Sequence, residues 1–320
     1  MTTPVTVLPV PGIGEVTAGT DLAALIHDHV VEGDIVVITS KIVSKAEGRL
    51  LGSTEQPADK AEAVSAETVR VVARRARTRI VRNRLGLTMA GAGVDASNTP
   101  RGTVLLLPLD PDATARTVRE ALPVNAAVIV SDTSGRAWRE GQTDIAIGAA
   151  GLRVAHDFAG SQDGYGNTLE VTLTAIADEI AAAADLVKGK LTGCPVALVR
   201  GLAGLVLPPG EHGPGAAALI RPDAGDLFGL GFREAAMGAL SRDDPRGFGE
   251  PATAEVLLEA LHSLGIAAKM GPGEIVVTGD ERACERAAMA AYAHSWRAER
   301  PEGVQRADNG EVLRLLPGLT

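Results

Sequence analysis

Four short runs of aliphatic and β-branched residues constrain this chain most: DIVVITS (34–40), TVLLLP (103–108), AAVIVS (126–131) and PVALVR (195–200). Each reads as a buried strand. Helical patterns lie between them. Residues 60–80 place Val64, Val69, Val72 and Ala76 near one helical face, and residues 112–122 open with an aspartate suited to N-capping. A third helix is predicted over 172–190, with Gly189 as the residue that closes it. Alternation of this kind predicts an α/β or α+β fold.

A chain of 320 residues with 45% apolar side chains can bury a sizeable core, as two domains or as one large unit with an appendage. The stretch LVLPPGEHGPGAAAL (205–219) is a Pro/Gly loop, and LSRDDPRGFGEPATAE (240–255) is a second break rich in charge. A boundary is therefore expected near 245, separating a main domain (1–245) from a small α+β appendage (246–320). In the appendage a helix is predicted over 253–264, a hairpin over 266–279 and a second helix over 281–297.

The 31 basic and 40 acidic side chains give a net charge of −9, so the molecule as a whole presents no cationic field to nucleic acid or anionic lipid. Any phosphate site must be local. Aromatic residues make up only 2%, which leaves no platform for stacking single strands. No apolar run approaches the ~18 residues of a membrane span, and the opening MTTPVTVLPVPG lacks the blocks of a signal peptide, so a cytoplasmic protein without membrane partners is expected. Cys194 and Cys284 are too few for a disulfide framework and read as small core residues. The six histidines are scattered singly. No phosphate-binding G-x-x-x-x-G-K-[ST] loop is present, and AGAGVDA (90–96) only grazes a dinucleotide fingerprint.

Polar chemistry instead gathers where strands end. After DIVVIT, Ser40 and Lys41 are followed by Lys45, and a helical turn would stack the two lysines on one side, where they could hold phosphate oxygens; a solvated basic face is the plainer alternative. In AGAGVDASN (90–98) glycines deliver Asp95 and Asn98 into a loop, where they could meet a cation and a nucleoside or merely form an Asx turn. After AAVIV, Asp132 and Thr133 are hard oxygen donors of the type magnesium or manganese accepts, and Arg136 and Arg139 could neutralise a transferring phosphoryl group. A capped helix start with surface ion pairs would look similar. Residues Ile13, Gly14, Glu15 and Val16, after Pro11 and Gly12, read as a turn.

Taken in order, LPVPGIGEV (8–16), GDIVVITSKIVSKAEGRL (33–50), NRLGLTMAGAGVDASN (83–98), SDTSGRAWREGQTDIAIGAAGL (131–152), DGYGNTLEVTLTAIADEIAAAADLVKGK (163–190) and LIRPDAGDLF (219–228) resemble one family. It is the ligase that adds L-glutamate to F420-0, the deazaflavin coenzyme precursor, in its archaeal form and as the N-terminal half of an actinobacterial bifunctional protein. The resemblance implies a mixed-sheet α/β fold, a homodimer, and a GTP-dependent amide ligase that uses Mg2+ or Mn2+, with K+ as a further candidate ion. Carried over by position, Ile13, Gly14, Glu15, Val16, Ser40, Lys45, Asn98, Lys188 and Gly189 would contact the nucleotide. Asp95 and Asp132 would hold one divalent cation and Thr133 a second. Asp132, Lys45 and Arg136 would carry the catalytic work. Where archaeal members tend to have an acidic residue this chain has Lys190, which cannot ligate a cation. The bifunctional protein continues into a flavin reductase, whereas no FMN motif follows here and no FMN is expected. Two other readings use the same residues: a nucleotide-dependent ligase for a different carboxylate or amino acid, and a nucleotide-binding regulator without catalysis.

Overall fold

The structure, a computed structural model, describes residues 4–170, 172–222, 226–244, 248–301 and 311–318. It divides into two units, one of Met1–Val71 and Thr78–Ile220, the other of Val72–Arg77 and Arg221–Thr320. The break expected near 245 lies outside the described residues. No helix among the described residues is long and apolar enough to cross a membrane.

The first unit opens with strand β1 (Thr6–Pro9), then β2 (Ile35–Thr39), which runs directly into helix α1 (Ser40–Ala46). A side lobe follows: β3 (Leu50–Leu51), α2 (Lys60–Ala66), β4 (Thr68–Arg75), whose residues from Val72 onward count with the second unit, β5 (Thr78–Asn83), β6 (Thr88–Ala90) and β7 (Val104–Leu105). Helix α3 (Pro111–Ala121) leads into a long hairpin of β8 (Ala127–Arg136) and β9 (Arg139–Ala150). The short strands β10 (His156–Asp157) and β11 (Leu173–Thr174) precede helix α4 (Ile176–Lys188) and strand β12 (Val196–Arg200). The main sheet has the order β1-β12-β2-β8-β9, in which β2 and β8 run parallel and the other neighbours antiparallel. This is the α/β arrangement that alternating strands and helices predict.

The runs of β2, β8 and β12 are buried on both faces, whereas TVLLLP (103–108) forms only the two-residue strand β7, which pairs with β3 outside the main sheet. Val36 and Ile38 of β2 enter one core with Val128 and Val130 of β8 and with Ala115 and Val118 of α3. Ile35 and Val37 enter the other, with Ala127, Ile129 and the α4 residues Ala177, Ile180, Ala181 and Ala184. A strand covered on two sides has no polar face to alternate, which is why these segments read as unbroken hydrophobic runs. Small residues on the buried stripe of α4 let the helix lie close to the sheet. That stripe continues at its last turn to Lys188, which is buried as well.

Three expectations need correction. The helix predicted over 60–80 ends at Ala66, because TVRVV supplies β-branched residues that favour a pleated surface; Val69 is exposed while Val72 is buried. The helix predicted from 112 begins at Pro111 and is capped by Asp110, whose side chain accepts from the Ala113 N–H at 2.9 Å. Asp112 instead accepts from the N–H groups of Ala149 and Ala216, both at 2.7 Å. The helix predicted over 172–190 is shorter, Ile176–Lys188, and Gly189 follows it at φ 59°.

In the second unit helix α5 (Phe232–Ser241) precedes α6 (Ala254–Ser263), β13 (Ala268–Gly271), β14 (Glu274–Gly279), α7 (Glu281–Ala293), β15 (Trp296–Glu299) and β16 (Glu311–Pro317). The four strands form an antiparallel sheet in the order β13-β14-β16-β15, with Leu257, Leu261, Ile275, Ala287, Ala291 and Leu315 among its core residues. The predicted second helix stops before residue 297. Ser295, at φ +58°, turns the chain so that Trp296 enters the sheet.

Candidate active site

The parallel pair builds the centre of the site. Thr39 of β2 lies opposite Ser131 of β8, so the next residues stand side by side, Ser40 at the head of α1 and Asp132 still within β8. Ser40 is buried at the start of α1 and donates its hydroxyl to Asp132 Oδ1 at 2.7 Å. On the other side of β8 an antiparallel register sets Thr133 opposite Asp144, just past a bulge at Val130/Ser131. Thr133 Oγ1 donates to Asp144 Oδ1 (2.8 Å) and Ser131 Oγ to Asp144 Oδ2 (2.9 Å). Lys188, at the end of the α4 stripe, donates to both Ser131 Oγ (2.7 Å) and Asp144 Oδ2 (2.9 Å).

These groups open onto a cavity of about 360 Å3. Its lining includes Ile13, Gly14, Glu15, Val16, Lys45, Asn98, Asp132, Thr133, Lys188 and Gly189. Ser40 stands behind Asp132. Lys41 and Lys45, one helical turn apart, both line the cavity, and each rests on a carboxylate: Lys41 Nζ on Asp95 Oδ2 at 2.7 Å, Lys45 Nζ on Glu15 Oε1 at 2.6 Å. Asp95 also forms an Asx turn with the Ser97 N–H, so its place is beside the cavity, behind Lys41. Arg136 is not brought to the cavity. It is exposed at the end of β8, with its guanidinium on the Glu140 carbonyl at 2.9 Å.

Two lining carboxylates escaped the sequence reading, Asp144 and Asp185. The signal for Asp144 is its position at the head of the alternating IAIGAA run, which makes it the first residue of β9 to face inward. Lys188 carries a comparable signal, since it continues the buried stripe of α4.

The carboxylates differ in how readily they ionise. Burial pushes Asp132 up to about 6, against the hydrogen bond from Ser40 and with help from the negative charge of Asp144. Burial also works to raise Asp95, but hydrogen bonds from Lys41 and Ser97 overcome it and hold the group at about 2. Asp144 is held below the usual carboxylate range, the penalty of burial being outweighed by the charge and hydrogen bond of Lys188.

Four lysines (41, 45, 188 and 190) and four carboxylates (Glu15, Asp132, Asp144 and Asp185) line the cavity, so it carries no surplus positive charge for a polyanion. Asp132 is a desolvated oxygen donor with no ion pair among the described residues, and this fits one hard divalent cation. Thr133 fits a second cation poorly. Its hydroxyl donates to Asp144 and accepts from Lys190 Nζ at 2.6 Å. Among the described residues no three acidic, histidine or cysteine side chains converge as a metal cluster.

Residues 12–201 match the family of F420-0:Gamma-glutamyl ligases, and every residue lining the cavity falls within that span. The coenzyme F420:L-glutamate ligase of Methanopyrus kandleri is 40% identical over 246 residues, which cover 69% of this chain and 96% of that protein. The proteins of the same name from Archaeoglobus fulgidus and Methanothermobacter thermautotrophicus are 38% identical over 219 residues and 37% over 254. They are covered to 88% and 98% of their length, by 62% and 70% of this chain.

Proposed function

This chain belongs to the F420-0:gamma-glutamyl ligase family, and from that premise we propose that it joins L-glutamate to a carboxylate of F420-0, with GTP as phosphoryl donor. The observation that carries the reading is the cavity where β2 ends beside the middle of β8, at which lysine ammonium groups, a desolvated carboxylate and the segment 13–16 meet within the matched span.

In the proposed reaction a carboxylate oxygen of the precursor attacks the γ-phosphorus; an O–P bond forms, the bond to GDP breaks, and an acyl phosphate results. The glutamate amine then attacks the acyl carbon, phosphate departs with the C–O bond electrons, and the amine loses its proton as the amide forms. Transfer of this kind asks the protein for alignment and charge neutralisation. Lys41 and Lys45 exchange their carboxylate partners for phosphate oxygens. Lys188 stays fixed and keeps Asp144 and Ser131 in place behind Thr133. The segment 13–16 lines the nucleotide, with Asn98 beside it. Magnesium or manganese held by Asp132, with Asp95 as the second carboxylate, would supply the remaining positive charge. A homodimer belongs to the same proposal.

The pure protein incubated with GTP, manganese, glutamate and F420-0 tests it. Mass spectrometry is expected to show one glutamate gained and GDP released. GDP without glutamate addition would point to a different acceptor, and neither product would point to a nucleotide-binding regulator.

A further inference from the structure

Lys190 stands where Thr133 would otherwise meet a cation. Its Nζ donates to Thr133 Oγ1 at 2.6 Å and lies 3.7 Å from Asp185 Oδ2 and 3.8 Å from Asp144 Oδ1. The Thr133 proton is already given to Asp144, and the second oxygen of Asp144 is taken by Lys188 and Ser131. Lys188 cannot withdraw, because its side chain is 3% exposed and held between those two groups. A divalent ion placed at Thr133 would therefore have to evict one ammonium and sit beside another. Asp132 is different: it accepts from the neutral hydroxyl of Ser40, and no ammonium pairs with it among the described residues.

Lys190 also has the freedom that Lys188 lacks. Its side chain is 60% exposed, it follows the helix-ending Gly189 at φ 59°, and it lines the cavity. We propose that this chain uses a single divalent cation, at Asp132, and that the Lys190 ammonium leaves Thr133 to take the place of a second cation on the nucleotide phosphates. The inference rests on the nucleotide reading of the cavity but not on the identity of the acceptor or the amino acid.

Manganese binding in the presence of a non-hydrolysable GTP analogue tests it, with bound metal counted from the loss of the free Mn2+ resonance in electron paramagnetic spectra. The expected count is one Mn2+ per chain with its nucleotide, rising to two in Lys190→Glu, where a carboxylate replaces the ammonium beside Thr133. Lys190→Gln is expected to weaken binding of the analogue about tenfold or more, as loss of a charge-assisted contact to phosphate requires, with an unchanged circular dichroism spectrum. Two Mn2+ per chain in the unsubstituted protein would overturn the proposal. So would undiminished analogue affinity in Lys190→Gln. Protein that takes up no analogue at all sinks both this inference and the nucleotide reading, whereas protein that binds analogue and one Mn2+ but ligates no glutamate sinks only the acceptor assignment.

Discussion

Exchanging Asp132 for asparagine keeps the shape of a cavity carboxylate that burial has pushed up to about 6 and removes its charge. The ordinary value is 3.8, so the folded chain holds this proton more tightly than the unfolded one. The stability this contributes is complete below pH 3.8 and is lost as pH rises through about 6. At pH 8 the ionised side chain costs the fold roughly 2–3 kcal/mol, the free-energy equivalent of that displacement. Asparagine can still accept from Ser40 and carries no such cost. Asp132→Asn is therefore expected to exceed the parent in stability by about 2–3 kcal/mol at pH 8 and to match it near pH 4. Urea unfolding followed by circular dichroism at both pH values measures the difference. Manganese should close the gap, since a bound cation at a hundredfold excess over its Kd adds about 2.7 kcal/mol to the parent and nothing to the variant. A variant no more stable than the parent at pH 8, or a gap of equal size at pH 4, would refute the reasoning.

Three further outcomes follow from the same geometry. Lys188→Met strands the buried Asp144 carboxylate and should lower stability by about 3–5 kcal/mol, while adding Asp144→Asn restores at least about half of it, as read from urea midpoints. Arg119→Met takes the donor away from the carbonyls of Ala126, Leu207, Pro208 and Glu211, and an expected loss of about 3 kcal/mol should lower the melting temperature by about 6–12 °C. Lys45→Met breaks a pair that is open to water on its Glu15 side, so stability should change by less than about 0.5 kcal/mol, while KM for GTP rises about tenfold or more in a steady-state ligation assay.

The sheet was legible because its strands are buried twice over: β2, β8 and β12 each stand out as runs with no polar interruption. The chemistry at their ends was legible for the same reason, since Ser40, Lys41, Asp132 and Thr133 follow such runs directly. The strand β9 was not. Its first half, REGQTD, is exposed and polar, and it is held by pairing with β8 rather than by any propensity of its own, so the inward turn of Asp144 appears only once the hairpin is closed. Residues 68–75 misled for the opposite reason: alanines and arginines after TVRVV sustain a helical spacing of valines that local β-branching overrides. Arg136 shows the limit of reading function from neighbourhood along the chain. It lies only four residues beyond Asp132, but the extended backbone carries it away along the hairpin, where a helix would have brought it back one turn later.

The parallel seam between β2 and β8 works as a ruler. Since Thr39 and Ser131 are level, any one-residue gain or loss within either strand would turn Ser40 or Asp132 to the opposite side of the sheet and separate them. Past the seam, the register of β8 with β9 restricts Thr133 and Asp144 in the same way. Length changes during descent should thus accumulate in the side lobe, while the spacing inside these strands stays fixed.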